Sequence, residues 1–511
     1  MLSVFDKGAL PPCPAPFNMA QYVLRHAADL SEKTALSVVS KGSAENYSFG
    51  EIESAVLGIA QGFLDLGLTA GDLVLIRLGN TVDFPITYLA ALAVGLVPVP
   101  TSSLLTDREV DKMLDELKPA LVVHAPGIAI GNPECLCLAQ SNLVPLKSGP
   151  KAQYQLGDPN RLAYIVYTSG TSGQPRAVMH AHRAIWARQM MFEDWTGLSK
   201  TDRLLHAGAF NWTFTLGTGL MDPWSLGATS LILEPDTDIN EIGGILNTHQ
   251  ATLFAAVPGI FRKLLHSKDL PSFPALRHAL SAGEKLSEPL REQWNIRTGT
   301  DILEAFGMSE CSTFVSHAPG RRAAEGALGR PQTGRHVALI NDTGPVPIGE
   351  TGQVAVSKDD PGLMLGYLNA PEETQHRFQG DWFLTGDLGC MDEDGSIHYE
   401  GRADDMMNAG GFRVSPLEVE HALAACPGLQ QIGVTDVEVK ADTHLIAAFY
   451  VADENVTQAT LETFAKDTLA RYKQPRIYQR VDVLPTNANG KLNRKRLRAE
   501  YKAPSNGSDQ T

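Results

Sequence analysis

Cysteine is scarce in this chain of 511 residues, which contains six. Only Cys135 and Cys137 stand close together, and no second pair follows at the spacing of a zinc site. This scatter excludes a disulfide-dense scaffold and does not predict a structural metal site. Reduced thiols in a cytosolic protein are the expectation.

Long apolar runs and an excess of positive charge are also missing. The longest apolar run, residues 88–97, is too short to cross a bilayer, which takes about 20 residues, and the N-terminus lacks the basic and apolar regions of a secretory signal. We therefore expect a cytoplasmic protein without a membrane span. The formal net charge of −15 argues against nucleic acid as a partner, although a local basic pocket could still hold a small anion.

The sequence has enough hydrophobic residues, 43%, for large cores in more than one domain. Buried-strand patterns such as "DLVLIRL" (72–78) and "ALVVHA" (120–125) alternate with helical patterns, one of which follows the proline in "VDFPITYLAALAVG" (82–95). This alternation predicts α/β layers with largely parallel sheets, whose ligands bind at the carboxyl ends of the strands. After residue 330 the strands are short, with a predicted hairpin at Asp394-Gly395 and a helix starting near Ser415-Pro416.

One loop has the composition of a phosphate site. The segment "YTSGTSGQPRAVMHAH" (167–182) concentrates serine, threonine and glycine between Thr168 and Gly173. It fails the common phosphate-loop pattern, because Pro175 stands where the second glycine is required. Converging backbone N–H groups and hydroxyls nonetheless suit an anion. These residues alone therefore predict either a phosphate cradle or an ordinary turn.

Four further segments follow this loop: "AFGMSE" (305–310), "TGDLG" (385–389), "GRADDMMNAGGFRVSPLEVE" (401–420) and "PTNANGKLNRKRLR" (485–498). Together the five segments resemble, in identity and order, the signature motifs of the adenylate-forming superfamily. That superfamily contains acyl- and aryl-CoA ligases, luciferases and the adenylation domains of peptide synthetases. Because the motifs extend over more than 300 residues, the resemblance covers nearly the whole chain.

The resemblance implies a fold and a domain organisation. The fold is α/β, with two layered α/β sheets and a small β-barrel-like piece in a large N-terminal region, residues 1–403. A small mobile α+β domain, residues 404–500, would carry the catalytic lysine. Residues 501–511 are expected to form a disordered tail.

The resemblance also implies a two-step reaction. A carboxylate first attacks the α-phosphate of ATP, which gives an acyl-adenylate and pyrophosphate. The thiol of coenzyme A, the co-substrate, then attacks the acyl carbon and displaces AMP. The expected partners are the small-molecule acid, ATP with Mg²⁺, and coenzyme A, and a homodimer remains open.

The matched motifs place an ATP site on particular residues. The phosphate cradle would consist of Thr168, Ser169, Gly170, Thr171, Ser172 and Gly173, supported by Arg176. The adenine side would consist of Glu284, Phe306, Gly307 and Met308. Ser309 would donate to the α-phosphate and Glu310 would bind Mg²⁺. Asp387 would hold the ribose, and Arg402 would reach the ribose or the phosphates.

Lys491 is the predicted catalytic lysine, acting with Ser309 and Glu310. A compact ammonium there would offset the repulsion between the attacking carboxylate and the phosphate. Asp404 falls at the family's hinge position. After rotation of the small domain about this hinge, Gly410, Gly411 and Phe412 would line the tunnel for coenzyme A.

The chain departs from the family pattern at Arg176-Ala177, where Lys-Gly is usual. Arginine keeps the charge and can bind phosphate through two parallel hydrogen bonds. His180 and His182 form an H-x-H pair without a third ligand in view, and we interpret them as structural.

The acyl pocket is predicted from residues 206–229 and from the "SAGE" turn, with Phe210, Trp212, Phe214 and Ala282 in its wall. No obvious cation in this segment would pair with a second carboxylate. The segments "SAGE" and "PWSLGAT" (223–229) resemble those of benzoate-type and medium-chain acid–CoA ligases. This resemblance implies a small aromatic, benzoate-like acid or a short-to-medium-chain aliphatic monocarboxylic acid.

Three other functions remain open at this point. A stand-alone adenylation enzyme would load the thiol of a separate carrier protein, since no carrier segment follows Lys491 in the printed chain. A luciferase-like oxygenase is a second alternative. A nucleotide-binding regulatory protein without catalysis is a third, against which the joint presence of Lys491, Glu310 and Asp387 argues.

Overall fold

The computed structural model describes residues 1–168, 176–267, 270–403, 405, 407–409, 412–440, 443–469, 471, 473–486 and 492–501. The strands are β1 (Val4–Asp6), β2 (Thr34–Val39), β3 (Ala44–Ser48), β4 (Leu73–Arg77), β5 (Val97–Pro100), β6 (Leu121–His124), β7 (Leu136–Ala139), β8 (Leu162–Thr168), β9 (Arg176–Ala181), β10 (Arg203–His206), β11 (Thr229–Leu233), β12 (Leu253–Ala256), β13 (His278–Ala282), β14 (Ile302–Met308), β15 (Ser312–Ser316), β16 (Arg330–Pro331), β17 (His336–Asn341), β18 (Gly344–Pro345), β19 (Thr351–Ser357), β20 (Gly366–Tyr367), β21 (Phe378–Gln379), β22 (Trp382–Met391), β23 (Ile397–Arg402), β24 (Met407–Ala409), β25 (Phe412–Val414), β26 (Leu429–Lys440), β27 (Thr443–Ala452) and β28 (Ile477–Arg480).

The α-helices are α1 (Met19–Val23), α2 (Phe49–Asp65), α3 (Asp83–Ala93), α4 (Asp107–Leu117), α5 (Leu143–Lys147), α6 (Ala184–Ala187), α7 (Thr213–Leu216), α8 (Asp222–Leu226), α9 (Ile242–Thr248), α10 (Pro258–His266), α11 (Glu288–Thr298), α12 (Pro371–His376), α13 (Pro416–Ala424), α14 (Gln458–Thr468) and α15 (Arg494–Glu500). Their starts follow local capping chemistry. Ser48 and Glu51 form a capping box at α2, and the Ser415 hydroxyl accepts from the backbone N–H of Glu418 at α13. Helix α3 begins at Asp83, before Pro85 and not after it as predicted, since proline is tolerated in the first turn.

Two sheets with parallel strands form the centre of the N-terminal region, as predicted. The larger has the order β16-β15-β14-β13-β12-β10-β11-β2-β3, and its strands from β14 to β2 in this order are parallel. The smaller has the parallel order β5-β4-β6-β7. The antiparallel group β20-β9-β8 lies against β5. Strands such as β4 are continuous apolar runs, because parallel strands of this kind are covered on both faces.

The predicted small β piece of the N-terminal region is a seven-stranded antiparallel sheet. Its order is β1-β17-β19-β22-β21, with β18 and β23 paired at the side. The predicted hairpin at Asp394-Gly395 joins β22 to β23, and Gly395 adopts a positive φ of 83° there. The N-terminal strand β1 pairs with β17, so the first residues of the chain belong to this sheet.

The C-terminal segment forms a separate domain with its own sheet, β26-β27-β28, and its own core. Val419 of α13, Val434 of β26 and Leu461 of α14 are fully buried in that core. The predicted boundary at 403/404 and the predicted tail from 501 stay predictions, since Asp404 and residues 502–511 lie outside the described residues. Within the described ranges, no helix has both the length and the apolarity needed to cross a membrane.

Candidate active site

Strand β8 leads directly into the predicted phosphate cradle. Its last residue, Thr168, pairs with Arg176, the first residue of β9. The other cradle residues, Ser169, Gly170, Thr171, Ser172 and Gly173, lie outside the described residues. The structure therefore fixes the two ends of the loop, and its hydroxyl and N–H donors remain predictions.

The Arg176 side chain forms a hydrogen bond with a carboxylate. Its Nε donates to Glu373 of α12 at 2.8 Å, and both side chains are partly exposed, with relative accessibilities of 32% and 40%. This hydrogen bond raises the pKa of Arg176 above its ordinary value. An exposed pair of this kind contributes about 0–1 kcal/mol, so exchanging Glu373 for a phosphate oxygen costs little.

The "AFGMSE" motif forms the end of β14 and the turn into β15. At Gly307 a Cβ atom would meet the carbonyl oxygen of Ser312 and lie 2.5 Å from the Cα of Thr313, so only glycine fits this close approach. Met308 pairs with Ser312 across the turn. Phe306, on the same strand, packs edge-to-face on Phe314, with ring centroids 5.4 Å apart.

Glu310 and Ser309 follow β14 and are held by two aromatic side chains. The hydroxyl of Tyr367 donates to Glu310 Oε1 at 2.8 Å, and Glu310 is 8% exposed. The ring of His180 bonds the carbonyl oxygen of Ser309 through Nε2 at 2.7 Å. This places the predicted Mg²⁺ ligand and the predicted α-phosphate donor next to each other at the end of one strand.

The donor set fits a magnesium ion that is brought by the nucleotide. Among the described residues, no group of three or more histidine, cysteine or acidic side chains could hold a metal by itself. Glu310 offers one carboxylate, and Mg²⁺ in nucleotide sites is bound by one or two carboxylates together with phosphate oxygens and water.

Asp387 and Arg402 meet across the β22–β23 pair. They stand opposite each other in register, and Arg402 Nη1 lies 3.3 Å from Asp387 Oδ2. Asp387 is 5% exposed and accepts a hydrogen bond of 3.0 Å from the hydroxyl of Tyr399. Gly386, with φ of 81°, leaves room for the Arg402 guanidinium, which would lie 2.8 Å from an added Cβ.

Tyr399 is a site residue that the motifs do not mark. Its ring lies 5.9 Å from that of Phe306 by centroids, while its hydroxyl bonds Asp387. Burial and the neighbouring Asp387 carboxylate raise its pKa above the ordinary value, so the hydroxyl stays protonated and donates. The tyrosine thereby joins the predicted adenine side to the predicted ribose side. Tyr399 lies three residues before Arg402, and a bulge between Tyr399 and Gly401 brings both side chains to Asp387, so strand alternation in the sequence gives no signal for it.

The "SAGE" turn follows β13 and leaves the sheet beside "AFGMSE", because Ala282 of β13 pairs with Ala305 of β14. Glu284 stands in this turn and is half-buried. Gly283 has φ of 93°, and an added Cβ would lie 2.7 Å from the Trp212 ring. The predicted acyl wall and the "SAGE" turn are therefore in direct contact.

Three of the four predicted acyl-wall residues come together, and one does not. The rings of Trp212 and Phe214 are edge-to-face at 5.3 Å, and Phe214 belongs to the same buried cluster as Ala282. Phe210 lies elsewhere: it is fully buried and stacks on Phe84 at 5.8 Å in the core of the other α/β layer.

A buried ion pair beside this segment was not foreseen from the sequence. Arg188, just after α6, donates from Nε and Nη2 to the two carboxylate oxygens of Asp222, each at 2.6 Å. Its Nη1 donates to Ser312 at 2.7 Å and its Nη2 to Thr218 at 3.0 Å. The segment from 206 to 229 therefore has a cation next to it after all, but one already neutralised by a buried carboxylate. Nothing in the local sequence of Arg188 signals this, since its contacts come from distant segments.

The residues predicted for the second half-reaction are described only in part. Lys491, Asp404, Gly410 and Gly411 lie outside the described residues. Phe412 begins β25 and pairs with Ala409 of β24, in a short hairpin ahead of α13. Their roles remain predictions.

Comparison with known proteins matches almost the full length of the chain. A family model described as AMP-binding enzyme matches residues 23–368, and one described as AMP-binding enzyme C-terminal domain matches residues 418–491. The 3-hydroxybenzoate–CoA ligase of Aromatoleum sp. (strain CIB) is 30% identical over 496 residues, which cover 90% of this chain and 93% of the relative.

Two further relatives extend this result. The mitochondrial acyl-coenzyme A synthetase ACSM3 of Rattus norvegicus is 27% identical, with 95% of this chain and 90% of the relative covered. The crystal structure of a benzoate CoA ligase from Burkholderia xenovorans LB400 matches with a TM-score of 0.84 at 28% identity, covering 94% of this chain and 100% of that one. Together with the geometry above, these matches confirm the resemblance: the chain belongs to the AMP-binding enzyme family, among its AMP-forming acid–CoA ligases.

Proposed function

We propose that this ligase activates a small monocarboxylic acid, foremost a benzoate-like aromatic acid, and transfers it to coenzyme A. The observation that carries the proposal is the aromatic wall against the "SAGE" turn. The Trp212 ring lies against the Gly283 backbone, and the Phe214 ring packs edge-to-face on the Trp212 ring. Ala282 belongs to the same buried cluster. A wall of flat rings and small residues suits a planar ring through offset and edge-to-face contacts.

The relatives support the same substrate class. One is a 3-hydroxybenzoate–CoA ligase and another is a benzoate CoA ligase, and both share over a quarter of their residues with this chain. A third is an acyl-coenzyme A synthetase, which keeps a short-to-medium-chain aliphatic acid as the second candidate.

In the first half-reaction the described residues would bind and orient the nucleotide. Phe306 and Tyr399 would lie against the adenine, while Asp387, fixed by Tyr399 and Arg402, would accept hydrogen bonds from the ribose hydroxyls. Thr168 and the loop after it would hold the β- and γ-phosphates. Such a site accelerates the reaction mainly by positioning the reactants and stabilising charge.

Glu310 would hold Mg²⁺ together with phosphate oxygens, with its Oε1 fixed by Tyr367. The metal would neutralise charge on the phosphates. Ser309 would donate to the α-phosphate, and Lys491 would hold the carboxylate against it.

In the second half-reaction the C-terminal domain would turn about Asp404. Lys491 would then leave the site, and Gly410, Gly411 and Phe412 would take its place beside the thiol of coenzyme A. Short loop segments can absorb the backbone rotation that such a domain movement requires.

A panel of acids tests the proposed function. Purified protein with ATP and Mg²⁺ is given benzoic, hydroxybenzoic, hexanoic and octanoic acids, with and without coenzyme A, while pyrophosphate release and acyl-CoA formation are followed. We expect acyl-CoA and stoichiometric AMP with an aromatic acid. Turnover of aliphatic acids alone would favour the second candidate. Pyrophosphate release that is insensitive to coenzyme A but coupled to a carrier protein would favour a loading enzyme, and binding of ATP without turnover of any acid would contradict the proposal.

A further inference from the structure

A small, largely enclosed cavity lies between the adenylate motif and the buried arginine. It has a volume of about 30 Å³ and lies between Ser309 and Arg188, with Thr213 and Gly217 of the predicted acyl segment in its wall. A water-sized group occupies roughly 10–15 Å³ on this scale, so the cavity admits one or two such groups and no aromatic ring. Asn211 and Thr213, the chain neighbours of Trp212, both line the cavity, so it lies next to the aromatic wall. A ring bound against that wall could therefore place only a small substituent in the cavity.

Two buried polar atoms of the cavity residues lack a partner. Tyr88 is 0% exposed and His180 is 2% exposed, and both line the cavity. Neither the Tyr88 hydroxyl nor His180 Nδ1 has a hydrogen-bond partner in the described part of the chain. Buried polar groups are nearly always paired, because leaving one unpaired costs its full desolvation penalty. Such a pair of atoms points to a ligand group that satisfies them.

The two atoms have opposite hydrogen-bonding roles. His180 Nε2 contacts the carbonyl oxygen of Ser309, which can only accept, so Nε2 carries the proton. Burial lowers the pKa of His180 to about 4, which keeps the ring neutral and leaves Nδ1 as an acceptor. Burial raises the pKa of Tyr88 well above its ordinary value, so its hydroxyl keeps the proton and can donate.

The ion pair at the far end of the cavity disfavours an anion. Both Asp222 oxygens are bonded to Arg188, and four of the guanidinium's hydrogen bonds go to Asp222, Ser312 and Thr218. A second carboxylate placed here would lose its hydration and find the arginine already paired with the buried Asp222.

We propose that Tyr88 and His180 determine specificity by selecting an aromatic acid that carries a ring hydroxyl. The hydroxyl enters the cavity, donates to His180 Nδ1 and accepts from the hydroxyl of Tyr88. An unsubstituted ring leaves both atoms unpaired, and a second carboxylate cannot donate to the histidine. This inference rests on the proposed function, because it takes an aromatic acid as the substrate.

The test compares two tyrosine-to-phenylalanine variants. Tyr88→Phe removes only the unpaired hydroxyl, so it should fold. Tyr22→Phe is the matched control, because Tyr22 is also a buried tyrosine but does not line this cavity. For each protein, kcat/KM is measured with benzoic acid, its three monohydroxy derivatives and benzene-1,3-dicarboxylic acid. A second readout independent of turnover is calorimetric titration with the sulfamoyl analogues of the benzoyl and hydroxybenzoyl adenylates.

We expect the wild type and Tyr22→Phe to prefer one hydroxybenzoic acid over benzoic acid at least tenfold and to use the dicarboxylic acid poorly. Tyr88→Phe should reduce that preference about tenfold in both readouts, because the hydroxyl loses its donor. A preference that is absent from the wild type, or one that survives in Tyr88→Phe, would overturn the inference while leaving turnover of benzoic acid intact. If no aromatic acid is turned over or bound as its adenylate analogue, the proposed function itself fails.

Discussion

Arg176 stands where the family usually has lysine, and its hydrogen bond to Glu373 competes with any phosphate. Removing that competitor by Glu373→Gln should lower KM for ATP by up to about fivefold, the range of an exposed pair worth 0–1 kcal/mol. Arg176→Ala should raise KM for ATP. Steady-state kinetics with varied ATP checks both variants, and an unchanged KM in Arg176→Ala would show that this side chain does not contact the nucleotide.

Lys491 allows the two half-reactions to be separated at a single residue. Lys491→Ala should abolish acid-dependent exchange of pyrophosphate into ATP, because the repulsion between carboxylate and phosphate is no longer offset. The variant should still form thioester from a supplied acyl-adenylate. Lys495→Ala, in the neighbouring basic segment, is the control and should keep both activities. Equal loss of both half-reactions in folded Lys491→Ala would contradict the assigned role.

Among the structural elements, the β14–β15 hairpin positions the catalytic motif at Ser309–Glu310. A methyl group at Gly307 would strike the backbone of Ser312 and Thr313, so the hairpin would have to shift. Gly307→Ala should therefore destabilise the protein by about 1–3 kcal/mol and reduce kcat/KM for ATP more than tenfold. Gly244→Ala is the matched control, since nothing lies within 4 Å of its Cβ position in helix α9, and it should be neutral or stabilising by up to about 1 kcal/mol. Chemical unfolding gives the free energy of unfolding of both variants, and steady-state kinetics gives their kcat/KM for ATP. A Gly307→Ala enzyme with wild-type kinetics would show that the hairpin does not position the motif.

Turn chemistry and strand order in the sequence predict part of the candidate site. A hairpin at Asp394-Gly395 predicts that β22 and β23 pair and that Asp387 lies near Arg402, but the regular register would set Asp387 opposite Gly401. A bulge after Leu388 shifts the pairing by one residue to Arg402, and turn chemistry does not predict that shift. The order of parallel strands brings "SAGE" beside "AFGMSE". Arg188 could not be predicted in this way, because its partners Asp222 and Ser312 are brought to it only by tertiary packing. Phe210 stands apart from the other predicted wall residues for a related reason: an aromatic residue in an apolar run fits core and pocket equally well, and here its ring stacks on Phe84 in the core.

At the scale of the whole molecule, several buried histidines link stability to pH. Burial lowers the pKa of His182 and His206 to about 3, and of His180 and His317 to about 4. In the unfolded chain these groups titrate near pH 6.5. Below that pH the unfolded state therefore binds more protons than the folded state, which lowers the free energy of unfolding. Their contribution to stability is complete above about pH 6.5 and is lost as the pH falls towards 4, by at most about 1.4 kcal/mol per group and pH unit.

Thermal unfolding between pH 7 and 5 measures this effect. We expect Tm to fall steadily as the pH is lowered from 7 to 5. In His317→Gln, which can keep the hydrogen bond to the Ala327 carbonyl oxygen, Tm should depend less steeply on pH. His266→Gln, at an exposed position, should leave the slope unchanged. A Tm that is constant or rises on acidification would contradict the assignment of these histidines as neutral in the folded protein.

We infer that the wall at Trp212 and the motif at Ser309–Glu310 together serve adenylation of an aromatic acid. The most direct test is exchange of labelled pyrophosphate into ATP by the unaltered protein, with Mg²⁺ and hydroxybenzoic acid but without coenzyme A. We expect exchange that requires the acid and is lost in Glu310→Gln. Absence of exchange with every aromatic acid, in a protein that binds ATP, would contradict it.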